Sequence, residues 1–223
     1  MNVIFSPHID DAILSIGGHI LNLIRKGKEL KVIYIFSKSN WINPQSDYYN
    51  EIIRSGKNIM EVRKAEEKAV INSCKYNVEF WDFESCESEP DKGDYNLIYN
   101  RIDKEINSED TFYFPMGIMH PDHIAIQRIA FEIANIKTFN LLIYEDMPYF
   151  PFDNNLNKRL EIYRDLSENE IVEDIDIQEK LKLINCYKSQ LDLAWIETIS
   201  DYANSFDREL HKERLWKICS NDE

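Results

Sequence analysis

The sequence predicts an α/β fold in three layers, a mostly parallel sheet with helices on both faces. Two observations carry this expectation. Short apolar runs bounded by turn residues alternate with longer segments of helical periodicity. The runs are close to continuously apolar rather than alternating, as strands covered on both sides must be. The chain has 223 residues and is 43% hydrophobic, which suits one such domain with a sizeable core.

Residues 2–7 (NVIFSP) read as the first strand, ended by Pro7. Residues 12–26 follow with Ile13, Ile16, Ile20, Leu23 and Ile24 at helical spacing. Asp10 and Asp11 stand where carboxylates can cap that helix, and Gly27 can end it. Residues 30–36 (LKVIYIF) are a second buried strand. A polar, aromatic-studded loop then runs from Ser37 to about Lys57, and a loop of that length inside a domain is expected to be functional. A helix is predicted over 59–74, with Ile59, Val62, Ala69 and Val70 on one face. Further strands are predicted at 78–83, 111–115 and 139–144, with helices at about 94–107 and 122–135 between them. The order β-α-β-α-β-α-β-α-β gives the fold class: α/β, three-layer and Rossmann-like. After Glu145 two helical stretches, about 177–192 and 198–218, dominate. They are expected to pack around the core within a single domain spanning 1–223.

The formal net charge of −14 repels phosphate backbones, so nucleic acid is not an expected partner. No apolar run reaches the length of a transmembrane segment, and the N-terminus lacks a basic stretch followed by an apolar one. Cys74, Cys86, Cys186 and Cys219 form no C-x-x-C pair and fit four reduced thiols, so a cytoplasmic protein is expected. Oligomeric state is open, with a homo-oligomer one outcome.

In open parallel sheets the loops at the carboxyl ends of the strands meet in one crevice. The first such loop is Ser6-Pro7-His8-Ile9-Asp10-Asp11. The loop after the fourth strand carries Met119-His120-Pro121-Asp122-His123. Three of the five histidines thus fall at one predicted edge. Imidazole and carboxylate suit Zn²⁺, and catalytic zinc keeps three protein ligands and one open position for water. A further carboxylate can take a proton from that water, and a further histidine can stabilise developing charge. Each piece also has an ordinary structural explanation. Asp10 and Asp11 would cap a helix, Pro121-Asp122 would start one, and a lone histidine is usually structural. Their joint occurrence at two loops favours the metal site.

His8-Ile9-Asp10-Asp11 resembles the HPDD motif of the LmbE/PIG-L deacetylases, and His120-Pro121-Asp122-His123 resembles their HPDH motif. Softer matches are Gly17-Gly18, the Arg63-x-x-Glu66 pair, and Tyr187-Lys188-Ser189-Gln190, so the resemblance covers residues 2–190. Ile9 replaces the usual proline, and Ala12 stands where many members have glutamate. The stretch around His8, with Tyr144-Glu145-Asp146-Met147-Pro148-Tyr149, resembles a bacterial branch that includes deacetylases of glycosylated natural products. The resemblance implies His8, Asp11 and His123 as zinc ligands and Asp10 as general base. It implies His120 as the group that stabilises the oxyanion or protonates the leaving amine, and Asp122 as the carboxylate that orients a histidine. Arg63 is a candidate to hold a substrate hydroxyl or phosphate, against an equally ordinary salt bridge with Glu66 or Glu67. The implied reaction is removal of an N-acetyl or short N-acyl group from an amino sugar or glycosylated small molecule.

Two other readings are compatible with the same residues. His8-Ile9-Asp10…His123 also spells the H-x-D…H triad of non-haem Fe(II) oxygenases, although the predicted fold is not the all-β barrel those enzymes generally use. A sugar-binding module without chemistry is the other. The first strand–helix turn has neither G-x-G-x-x-G nor a Walker loop, which argues against nucleotide binding.

Overall fold

The computed structural model describes residues 1–39, 47–85, 90–190, 193–207 and 210–219, without the side chains of Asp47, Tyr49 and Ile53. In chain order the elements are β1 (Asn2–Ser6), α1 (Asp11–Arg25), β2 (Leu30–Tyr34), α2 (Asp47–Arg54), α3 (Ile59–Cys74), β3 (Asn77–Phe80), α4 (Lys92–Glu105) and β4 (Thr111–Pro115). They continue with α5 (Pro121–Ala134), β5 (Asn140–Tyr144), a 3-10 turn at Phe150–Phe152, α6 (Leu156–Leu166), β6 (Ser167–Asp174), α7 (Ile177–Ile184), α8 (Leu193–Asn204) and β7 (Lys212–Ile218).

The strands form one seven-stranded sheet in the order β3-β2-β1-β4-β5-β7-β6. The first five are parallel, while β7 runs antiparallel to both β5 and β6. Strand order reverses between β1 and β4, and a crevice opens at their carboxyl ends. With this strand order, the right-handed crossovers that parallel strands favour put α1 and α3 on one face and α4 and α5 on the other. Ile4, Phe5, Val32, Ile33, Phe112, Phe114 and Ile143 are fully buried, which is why the parallel strands read as apolar runs. Phe5 stacks on Phe114 and meets Trp81 edge-on, joining β1 to its neighbours beneath the crevice.

The structure departs from the sequence expectation in four places, all outside the parallel strands. The helix expected over 198–218 is instead α8 followed by strand β7, and the helix expected over 177–192 stops at Ile184. Lys212–Ile218 lacks a clean two-residue alternation, and its pairing with β5 and β6 decides its conformation. The segment between Glu145 and residue 177 contains α6 and β6, which the sequence reading left unassigned. Strand β6 is exposed along most of its length, so it carries little apolar signal. The expected long loop contains α2, and Trp41 within it lies outside the described residues. Among the described residues no helix is long and apolar enough to cross a membrane.

Candidate metal centre and active site

The loop after β1 is folded by its own polar groups. The Ser6 hydroxyl donates to the His8 carbonyl (2.8 Å) and accepts from the Ala12 amide (3.1 Å). The His8 amide donates to Asp11 Oδ2 (2.8 Å). The turn throws the His8 ring and the Asp11 carboxylate toward the same point. Asp10 precedes α1, yet its side chain makes no capping hydrogen bond, so its carboxylate is not used up at the helix end.

The loop after β4 turns at Gly117, whose φ is +76° and where a Cβ would lie 2.8 Å from Gln127 Cβ. Glycine is required there. His120 then caps α5, accepting the Asp122 amide on Nδ1 (3.2 Å). One turn of helix carries His123 inward, where it is fully buried.

The two loops meet. Asp11 Oδ2 lies 3.1 Å from His8 Nδ1 and 3.1 Å from His123 Nε2. His8, Asp11 and His123 offer ligand atoms all within 4.8 Å of one another. The far nitrogen of each imidazole has a buried carboxylate of its own. His8 Nε2 stands 2.9 Å from Asp122 Oδ2, and His123 Nδ1 stands 3.2 Å from Asp146 Oδ1. The His8–Asp122 hydrogen bond fixes that ring and leaves its other nitrogen free for a metal, whereas His123 Nδ1 and Asp146 Oδ1 stand close without forming a hydrogen bond. Ser85 supports Asp122 through a hydroxyl donated to Oδ2 (2.8 Å). Both ring nitrogens of His123 are buried without a hydrogen-bond partner, which is costly unless an ion takes one of them. The residues present therefore fit a divalent cation, which His8, Asp11 and His123 could hold.

Burial is the largest single influence on the histidines and would lower them, but carboxylate charge and hydrogen bonds together outweigh it, the Asp11 charge foremost. That charge raises His8 to about 9, helped by hydrogen bonds to Asp11 and Asp122, and holds His123 well above the usual range together with Asp146. Asp11 lies well below the usual carboxylate range, because the charges of His123 and His8 overcome its own burial. Asp10 behaves oppositely. Burial, with the Asp11 charge beside it, pushes it up to about 7 against the pull of His8, Arg63 and His123. His120 is driven down to about 4 by burial and by the charges of His8 and His123. Its ring stands edge-on to His8, with centroids 4.7 Å apart.

Arg63 is buried, and among the described residues no salt bridge of it is found. Its Nε has no hydrogen-bond partner, and Nη1 reaches only the Met60 sulfur at 3.9 Å. The expected alternative partners are taken. Glu66 accepts from the Ser189 amide (2.8 Å) and hydroxyl (2.6 Å). Glu67 accepts from the Tyr76 (2.7 Å) and Tyr187 (2.5 Å) hydroxyls. Gln190 then donates to the Ile9 carbonyl (2.9 Å). The Arg63-x-x-Glu66 and Tyr187–Gln190 segments, far apart in sequence, thus form one clamp against the His8–Asp11 loop.

Sequence reasoning gave Asp146 no role, although it quoted the segment Tyr144–Tyr149. Ser85 was not singled out either, while Tyr149, within the segment named from the sequence, meets the His123 ring edge-on at 5.6 Å. Asp146 was findable as a carboxylate just past a parallel strand, at the same edge as the two histidine loops. Of the long loop, Tyr48 borders a separate cavity of about 540 Å³ between α2 and α3 rather than the metal centre.

Residues 3–134, more than half of the chain, match the family profile PIG-L, GlcNAc-PI de-N-acetylase. The chain belongs to the PIG-L family. No curated protein sequence matches it. The fold of this PIG-L chain is similar to that of the A40926 pseudoaglycone deacetylase, at a TM-score of 0.75 and 18% identity, covering 100% of this chain and 98% of that one. It is similar to the zinc-inhibited form of teicoplanin deacetylase, at 0.74 and 16%, covering 100% and 99%. It is also similar to the N,N'-diacetylchitobiose deacetylase of Pyrococcus horikoshii, at 0.65 and 17%, covering 98% and 83%. At such identities the likeness is one of fold.

Proposed function

We propose that this chain is a zinc-dependent N-deacetylase that removes an acetyl or short acyl group from an amino sugar or glycosylated small molecule. We read it as a single domain over 1–223. The observation that carries the proposal is the convergence of His8 Nδ1, Asp11 and His123 Nε2, with Asp10 beside them and free of capping duty. Family membership and the fold shared with deacetylases of glycosylated substrates support the same reading.

Zinc held there would polarise the acyl carbonyl and lower the pKa of its water toward about 7. Asp10 takes the proton of the attacking water. A base poised near neutrality suits that task, and burial gives Asp10 that poise. His120 accepts the Asp122 amide on Nδ1, so its proton sits on Nε2. A neutral His120 is then a hydrogen-bond donor to the oxygen where negative charge develops, rather than a standing acid. Asp122 holds the His8 ring by a hydrogen bond, and the Asp146 carboxylate stands against the His123 ring. Arg63, buried with its Nε unpartnered, grips a substrate oxygen.

The oxygenase reading requires Asp10 as the ligand carboxylate, but Asp11 is the aspartate that stands between the two histidines. The test is metal content followed by release of acetate and free amine from a panel of N-acetylated glycosides. The expected result is about one zinc per chain and stoichiometric acetate and amine. Zinc binding without acetate release from any glycoside would return the chain to the sugar-binding module.

A further inference from the structure

We infer that Lys180 and Glu213, a buried ion pair outside the metal site, hold open a break in α1 and thereby set the position of Asp11. The inference rests on the metal reading above.

Helix α1 is not continuous. Ile16 has φ −127° and ψ 31°, outside the helical region, so α1 is one turn carrying Asp11 joined to a longer segment from Gly17. A break inside a buried helix orphans a carbonyl on one side and amides on the other, and these must be satisfied. Both sets are met from outside the helix. Lys180 on α7 donates to the Ser15 carbonyl (3.1 Å). Glu213 on β7 accepts the Gly18 amide on one oxygen (3.0 Å) and the His19 amide on the other (2.7 Å). Lys180 and Glu213 are themselves paired at 2.7 Å, and both are buried. A cation thus sits at the carboxyl end of the first turn and an anion at the amino end of the second segment, as the helix dipole favours at each.

The seam is built for close approach. A Cβ at Gly18 would fall 2.5 Å from the Ile175 side chain, and one at Gly17 would fall 3.3 Å from Lys180 Cγ. The first turn is also tied to the other wing of the site, because the Ser15 hydroxyl accepts the Met147 amide (3.1 Å) next to Asp146. The residue after Glu213 serves that wing. Arg214 Nε donates to Glu145 (2.5 Å), the neighbour of Asp146. Consecutive residues of β7 therefore brace the two arms that bear Asp11 and the His123–Asp146 pair. Without the Lys180–Glu213 bracket, α1 gains hydrogen bonds by closing its break, and Asp11 moves with its turn.

Lys180→Met and the double variant Lys180→Met/Glu213→Gln test this. The double variant leaves no buried charge unpaired and should fold. Zinc affinity is read by chelator competition well below the unfolding temperature, and amide exchange is read at Gly18 and His19. The folded double variant should bind zinc about 10–100-fold more weakly, the usual effect of losing support behind a ligand. Exchange at the two amides should change by about tenfold or more. Lys180→Arg, which keeps the cation, should restore most of the affinity. A purely structural pair would lower the unfolding temperature and leave zinc affinity of the folded protein unmoved. Zinc affinity within about threefold of wild type in the folded double variant would overturn the inference while leaving the deacetylase reading intact. A wild-type protein that binds no zinc would remove both.

Discussion

Asp10 and Asp11 are neighbours of the same chemistry in opposite surroundings. Asp11 lies between two imidazoles and is held well below the usual carboxylate range, whereas Asp10 is buried beside it and pushed up to about 7. The substitution Asp10→Asn should keep zinc and lower kcat by about 10²–10⁴-fold, the worth of a positioned base. A bound divalent cation favours the ionised carboxylate, so the acid limb of the native profile should lie below about 7 and vanish in Asp10→Asn. His120→Ala should also keep zinc and lose about 10²–10³-fold in kcat, the cost of removing an oxyanion donor. Because His120 is already neutral, the shape of the pH profile should survive that substitution. Zinc content and a kcat–pH series on the two variants measure these outcomes. Near-normal turnover in zinc-loaded Asp10→Asn would move the base elsewhere, with Asp122 the next group to test.

At the scale of elements, the seam between α1 and the segment leading into α7 has no room to spare. Gly18→Ala would place a methyl group 2.5 Å from Ile175 carbons. It should lower stability by about 1–3 kcal/mol, the usual penalty of overpacking. Trimming the opposing side chain in Gly18→Ala/Ile175→Ala should recover part of the loss, read as unfolding midpoints in denaturant. An unshifted midpoint in Gly18→Ala would mean the seam relaxes freely. Legibility divides along the same lines. Strands β1, β2, β4 and β5 were readable because they are covered on both sides, and the helices between them, α2 apart, because each has a periodic apolar face. His8, Asp11, His120 and His123 were readable because the ends of parallel strands β1 and β4 must adjoin. Strands β6 and β7 were not readable, since an exposed edge strand and a charged strand are set by antiparallel pairing across distant sequence. Asp146 and the Lys180–Glu213 bracket were hidden for a related reason. Their meaning lies in what they touch, and their own sequence neighbourhood carries no motif for it.

Over the whole molecule, the proposed metal joins two segments far apart in sequence that leave the adjacent strands β1 and β4. His8 and Asp11 come from the exit of β1, and His123 comes from α5 after β4. An ion that binds only the assembled site stabilises the fold by mass action, about 2.7 kcal/mol at a free concentration 100 times Kd. For a chain of this size that corresponds to roughly 5–11 °C in Tm. The sign with pH follows from His8. In the metal-free protein its pKa is raised to about 9, so it carries a proton at neutrality that zinc must displace. Affinity should therefore rise with pH by about tenfold per unit below 9 for that proton alone, and further if His123 also gives one up. The metal-induced rise in Tm at fixed zinc should accordingly be larger at pH 8 than at pH 6. The chelated protein should show none of it, and His123→Ala should lose most of it at either pH. Thermal unfolding with buffered zinc and with chelator, at both pH values, makes the measurement. Proton release on zinc addition, followed with an indicator dye, is an independent check on the same linkage. A Tm rise of equal size at both pH values, without proton release, would mean that zinc binds somewhere other than His8 and His123.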